Sequence, residues 1–234
     1  MPSGVGRPKL HSDIVTPLQL DFLRRFFAAS FGPAFFLTGG TALAGFYFGH
    51  RLSDDLDLFT VADEVLPLTD AVVPRLAEML DCEVVQKREA EYFRQYVLEP
   101  RRGEGGMVRL DLVRDFGPQY GERQAVAEIT VDAIENIGAN KLTAILGRTD
   151  AKDFVDLHFI LKSGLDFDHL FRLAKEKDLG LTEFYLAQAM LEVRRFTRLP
   201  AMRAPLELPE LQAQFTDLAN ALLDRLNPGK HPSQ

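Results

Sequence analysis

The sequence predicts an α/β (α+β) chain, with a mixed-sheet core and flanking helices over 1–134 and a helical C-terminal region over 135–234. Three observations carry this. The strand-like Phe35-Phe36-Leu37 stops at Thr38-Gly39-Gly40, and helical character resumes at once over Thr41 to Phe48. Period-two segments then recur as far as Ile134. From Glu135 onward the apolar spacing becomes that of helices, broken at Pro200, Pro205 and Pro209.

Residues 1–12, rich in Pro, Gly and Ser, read as a flexible arm. Leu20, Leu23, Phe26 and Phe27 give Gln19 to Ala29 a helical face. The helix after the Gly pair has a candidate cap in Thr41. Asp55-Leu56-Asp57-Leu58 alternates strictly, which puts both aspartates on one face of a strand and the leucines on the other. A helix is expected over Asp70 to Leu80. Strands are expected at Glu83 to Lys87, Tyr92 to Leu98 and Met107 to Val113, with a turn at 101–106 and a further strand over Ala127 to Ile134. The helical region reads as Asn136 to Gly147, Ala151 to Leu161, Asp168 to Lys177, Leu181 to Arg195 and Leu208 to Leu226, with a frayed tail over 227–234.

The chain has 234 residues, 46% of them hydrophobic and 26% charged, so it can bury a substantial core. Its 27 Lys and Arg against 34 Asp and Glu leave a formal charge of −7, which excludes a protein that holds nucleic acid by bulk positive charge. The single Cys82 has no neighbouring thiol or His, so no disulfide, zinc or redox role is expected. No apolar tract approaches the roughly 20 residues of a membrane span. A soluble cytoplasmic protein without membrane association is expected.

Three features carry chemistry: Gly39-Gly40-Thr41 opening a helix after a strand, Asp55 and Asp57 on the next strand, and Asp111 on a later one between Leu110 and Leu112. Glycines at a helix start let backbone N–H groups approach a phosphate, and the helix dipole favours its charge. Two carboxylates about 4 Å apart repel by roughly 4 kcal/mol at an effective dielectric near 20. A clustered trio therefore calls for a cation, and Mg²⁺ or Mn²⁺ bridging carboxylates and phosphate oxygens would supply one. The chemistry implied is phosphoryl or nucleotidyl transfer. The competing structural readings are a solvated sheet face for Asp55 and Asp57, and an ion pair with Arg109 or Arg114 for Asp111.

The string from Leu37 to Phe59, LTGGTALAGFYFGHRLSDDLDLF, resembles the signature of the AbiEii/AbiGii-type nucleotidyltransferases of the polymerase-beta-like superfamily, which include toxins of toxin–antitoxin systems. A second block, Asn140 to Leu161, resembles the family's downstream motif. The resemblance implies a metal-dependent enzyme that moves an NMP from an NTP to an acceptor hydroxyl on RNA, tRNA in particular, or on protein, with a cognate antitoxin as partner. It implies Asp55, Asp57 and Asp111 as metal ligands, with Asp111 also activating the acceptor, and Gly39, Gly40 and Thr41 as the triphosphate turn. Lys141 is implied as a phosphate-contacting catalytic residue and Asp153 as a further acid of the site, with Asp156 as the second match.

Lys141 and Arg148 lie seven residues apart, about two helical turns, and could share a face toward the triphosphate. Arg51 is assigned a phosphate contact and His50 a local structural role, while Asp54 is treated as a flank. The alternatives remain open: Asp153 and Asp156 could stabilise a helix start, and Asp156 could fix Arg148. His158 reads as a packed helix residue. The basic pairs Lys87-Arg88 and Arg101-Arg102, and Arg194-Arg195 with Arg198, could contact RNA or be solvated surface. The rival to the enzyme is a catalytically inactive nucleotide-binding or protein-interaction module on the same scaffold.

Overall fold

The computed structural model describes residues 6–103 and 106–226. The expected tail over 227–234, the first five residues of the expected arm and two residues of the 101–106 turn lie outside them. The chain divides into two compact units. One is an α/β unit of residues 6–117 and 121–133. The other is a helical unit of 134–226 together with Pro118–Tyr120.

In the α/β unit, α1 (Pro17–Ala28) precedes β1 (Phe35–Thr38), which runs directly into α2 (Gly39–Ala42) and a π-helical segment (Leu43–Phe48). There follow β2 (Asp55–Thr60), α3 (Leu66–Met79), β3 (Cys82–Ala90), β4 (Phe93–Pro100), β5 (Val108–Arg114), β6 (Gln124–Val126) and β7 (Ile129–Val131). The strands form one mixed sheet in the order β3-β4-β5-β2-β1-β7-β6. β2 runs parallel to β5, and β1 parallel to β7; the other neighbours are antiparallel.

The alternation read in β2 is realised. Leu56 and Leu58 are fully buried, and on β5 so are their register partners Leu110 and Leu112, while Asp55, Asp57 and Asp111 take the opposite face. Phe26 of α1 packs edge-on against Phe27, Phe31 and Phe35 and stacks near Phe22, fixing α1 beside the sheet. A Thr16/Gln19 capping box and Pro17 start that helix.

Several boundaries differ from expectation for identifiable reasons. Thr41 is not a cap: the helical segment begins at Gly39, and the Thr41 hydroxyl instead donates to the Asp55 carbonyl and accepts from the Ser53 hydroxyl (2.8 Å). α3 starts four residues early because Pro67 suits a first helical turn. β3 extends to Ala90 through pairing with β4, although its outer residues are charged edge positions without alternation. The strand expected over Ala127 to Ile134 is a hairpin, since Ala127 and Glu128 both take positive φ and reverse the chain between β6 and β7. Residues 9–12 are held rather than loose: the backbone N–H groups of Lys9 and His11 donate to the carbonyls of Phe46 and Gly45.

The helical unit comprises α4 (Ile134–Gly147), α5 (Ala151–Lys162), α6 (Phe167–Lys177), α7 (Glu183–Leu191) and α8 (Leu208–Leu226). Asp150, Asp166 and Thr182 cap α5, α6 and α7 through side-chain acceptors. The last helical turns expected up to Arg195 tighten into a 3-10 turn, Glu192–Arg195. Phe154 is the centre of this core, edge-on to both Phe196 and Phe215. Among the described residues no helix is long and apolar enough to cross a membrane.

Truncating the aromatic hub tests this packing. Phe26→Ala is expected to lower the unfolding free energy by about 3–5 kcal/mol in urea titrations followed by circular dichroism.

Candidate active site

The polar face of the sheet is built by register. Asp57 is the parallel partner of Asp111 across β2 and β5, and the antiparallel partner of Thr38 across β2 and β1. Asp55 lies two residues from Asp57 on the same face, opposite Arg109. On β4, Gln95 stands opposite Asp111 and donates to its Oδ1 at 2.7 Å. Arg109 reaches Asp55 Oδ2 at 2.6 Å from Nη2 and Asp111 Oδ2 at 3.6 Å from Nε.

The Gly-Gly turn closes over this row. Gly39 has φ +68°, and a Cβ there would stand 2.1 Å from Asp57 Oδ2. Only glycine permits both the backbone angle and the approach of the carboxylate. Behind the turn, a Cβ on Gly40 would meet Arg51 Nη2 at 2.4 Å. Arg51 is 2% exposed and donates from Nη1 to the Leu52 carbonyl at 2.8 Å, so its guanidinium braces the turn from inside the unit. Thr41 and His50 are fully buried, and the His50 ring meets Phe48 edge-on.

Asp132 belongs to this neighbourhood and was not singled out from the sequence. It is 1% exposed at the end of β7, where its Oδ2 accepts from Thr38 Oγ1 at 2.7 Å and its Oδ1 from the Ala133 N–H at 2.9 Å. Arg123 approaches the same carboxylate at 3.8 Å and lies over the Phe36 ring. The only sequence signal was an aspartate ending the apolar run Ile129 to Val131, concealed by reading one strand through to Ile134.

The carboxylates suit a hard divalent ion in donor type, and Gly39 lets the Asp57 carboxylate lie directly against the turn. Among the described residues, however, no three His, Cys, Asp or Glu side chains converge at metal-holding distance. Arg109 occupies the gap between Asp55 and Asp111.

Lys141, Arg148, Asp153 and Asp156 come together within the helical unit. Lys141, on α4, places Nζ 2.9 Å from Asp153 Oδ1 and 2.6 Å from Asp156 Oδ2, both on α5. Arg148 binds Asp153 through Nε (2.7 Å) and Nη2 (3.2 Å). Asp153 thus fixes Arg148. The Lys141 side chain is 8% exposed and the two carboxylates 1% and 0%, whereas Arg148 is 63% exposed and lines an open groove of about 350 Å³ with Tyr185, Gln188 and Glu192. His158 packs in α5 beside Phe159, with Nδ1 2.5 Å from Gln214 Oε1. Of the basic clusters, Arg195 is committed to Glu192 at 2.6 Å and Lys87 to Asp70 and Glu89.

Burial alone would raise the Asp153 pKa, but the Lys141 charge and the Arg148 and Lys141 hydrogen bonds outweigh it and hold the carboxyl below its ordinary 3.8. Burial likewise opposes the Lys141 ammonium, and the charges of Asp156 and Asp153 overcome it, raising the pKa above 10.5. Asp153 thus contributes stability that is present above pH 3.8 and is lost as pH falls through its lowered value. Lys141 contributes stability that is present below pH 10.5 and is lost as pH rises through its raised value. Lys141→Met leaves two buried carboxylates without their ammonium and is expected to cost about 3–5 kcal/mol at pH 7. The deficit should shrink below pH 4 in paired urea titrations; a deficit independent of pH would contradict the electrostatic account.

The family model described as nucleotidyl transferase AbiEii toxin, type IV toxin–antitoxin system, matches residues 21–232. An uncharacterised protein of Aquifex aeolicus is 31% identical over 146 residues, 61% of this chain and 66% of that protein, so the chain spans just under two thirds of this curated relative. Two solved structures share the fold. JHP933 from Helicobacter pylori has a TM-score of 0.56 at 20% identity, with 92% of each chain covered. MenT4, a nucleotidyltransferase toxin from Mycobacterium tuberculosis, has a TM-score of 0.57 at 19% identity, covering 88% of this chain and 82% of that one. With the family model spanning nearly all of its length, the chain belongs to the AbiEii nucleotidyltransferase toxin family.

Proposed function

We propose that the protein is a metal-dependent nucleotidyltransferase that moves an NMP from an NTP to an acceptor hydroxyl, and that it acts as the toxin of a toxin–antitoxin pair. One observation carries the reading: Asp55, Asp57 and Asp111 share a sheet face beside the turn formed by Gly39 and Gly40. Family membership supports the reaction class.

In this reading the N–H groups of Gly39 and Gly40 bind triphosphate oxygens, with Arg51 bracing the turn and Thr41 tying it to β2 through Ser53 and the Asp55 carbonyl. Asp55, Asp57 and Asp111 would hold Mg²⁺ or Mn²⁺. When bound, such an ion withdraws charge from the α-phosphate and acidifies the attacking hydroxyl. Gln95 fixes the Asp111 carboxylate through Oδ1, orienting the acid that takes the acceptor's proton. The acceptor oxygen forms a bond to the α-phosphorus as the bond to pyrophosphate breaks. Lys141 and Asp153, which match the family's downstream motif, are paired inside the helical unit, and Arg148 on Asp153 is that unit's exposed candidate for a phosphate contact.

The acceptor proposed is RNA, tRNA in particular, with a protein hydroxyl as the alternative. The cytoplasm supplies NTPs and acceptors, and a cognate antitoxin restrains the activity. A net charge of −7 does not oppose an RNA acceptor, because metal ions offset the acids of the site itself.

The test is transfer of label from each NTP, with Mg²⁺ or Mn²⁺, to total RNA or to the protein. Asp57→Ala is expected to reduce transfer at least about 100-fold while the protein stays folded. Nucleotide binding without transfer to any acceptor, with either metal, would instead identify an inactive binding module. Gly39→Ala tests the turn: strain at positive φ, about 1–3 kcal/mol, and collision with Asp57 should lower the melting temperature and weaken NTP binding together.

A further inference from the structure

Arg109 has no part in the transfer chemistry above, yet its guanidinium spans two of the three proposed metal ligands. Nη2 is 2.6 Å from Asp55 Oδ2, and Nε is 3.6 Å from Asp111 Oδ2. The bridge follows from the fold: Arg109 is the register partner of Asp55 and lies two residues from Asp111 on the same face of β5. A planar, forked guanidinium is suited to two carboxylates at once. Because Gln95 already holds Asp111 Oδ1, the oxygen that faces Arg109 is the one left for an ion.

The side chain is also placed to leave. Arg109 is 46% exposed, against 2% for the buried Arg51, so its departure opens no hole in the core. A divalent cation and a guanidinium repel each other and cannot both occupy the gap.

We propose that Arg109 is a built-in counter-ion of the metal site, competing with the divalent cation for Asp55 and Asp111, so that loading requires its guanidinium to swing out. The proposal rests on the metal-site reading given above. Arg109 neutralises the crowded acids while no ion is bound, and it sets a low metal affinity for the nucleotide-free protein. An NTP, which brings phosphate oxygens of its own to the ion, tips the exchange toward the loaded site.

The test is a titration of the full chain with Mn²⁺ alone, counting free ion by electron paramagnetic resonance, for wild type, Arg109→Gln, Arg109→Lys and Asp57→Asn. Arg109→Gln is expected to bind Mn²⁺ about tenfold more tightly than wild type. Arg109→Lys, a point charge unable to bridge both carboxylates, should lie between them, and Asp57→Asn should lose binding. Without metal, Arg109→Gln should melt below wild type and recover on adding Mn²⁺. Mn²⁺ affinity unchanged or weakened in Arg109→Gln and Arg109→Lys, with Asp57→Asn still losing it, would overturn the counter-ion role and leave the metal site standing. Absence of saturable Mn²⁺ binding in all four proteins would overturn the metal site and the counter-ion role together.

Discussion

Parallel, in-register pairing of β2 with β5 sets Asp57 beside Asp111, and the apolar side of the same two strands enforces it. Leu56, Leu58, Leu110 and Leu112 are all fully buried on the opposite face. Sliding either strand by one residue would carry its leucines into solvent and its aspartates into the core. Each buried leucine is worth about 1.5–3 kcal/mol. Repulsion between two carboxylates 4 Å apart is roughly 4 kcal/mol at an effective dielectric near 20. The four leucines together therefore outweigh the crowding of acids that their register imposes, and the polar face is held in a charge arrangement it would not choose alone.

Much of that arrangement was legible in residue order, because alternation and Gly-Gly turns are local signals. Asp55-Leu56-Asp57 could only place its acids on one face, and Gly39-Gly40 after a short apolar run could only reverse into a helix or turn. What residue order did not contain was pairing between segments distant in sequence. That Asp111 would lie opposite Asp57, and Arg109 opposite Asp55, depends on a sheet order in which β5 joins β2 across two intervening strands. Asp132 was missed for a related reason: its role comes from Thr38, 94 residues away on the neighbouring β1. The β6–β7 hairpin was missed because Ala127-Glu128 carries none of the usual glycine or asparagine signal for positive φ.

The helical unit shows the same division between local and non-local information. The heptad spacing of Lys141 and Arg148 predicted a shared face, but the charges they meet are decided by how α4 packs on α5. Lys141 is taken up by Asp153 and Asp156, while Arg148 binds Asp153 and keeps most of its surface in solvent. Two cations and two anions close on one another, which is how four charges can be gathered at the packing of two helices without a buried imbalance.

The two clusters therefore solve one problem in different ways. In the helical unit the carboxylates are 1% and 0% exposed, and their ammonium partner is 8% exposed; removing it leaves charge where water cannot reach, so the pairing is permanent. On the sheet face Asp55 is 31% exposed, Asp111 18% and Arg109 46%. There the same Coulomb attraction is weakened by solvent, so the arginine is held far more loosely than Lys141. The proposed metal site joins acids close in register to a substitute charge exposed enough to yield. Burial depth, more than the identity of the charged groups, separates the cluster that holds the helical unit together from the one proposed to exchange its cation.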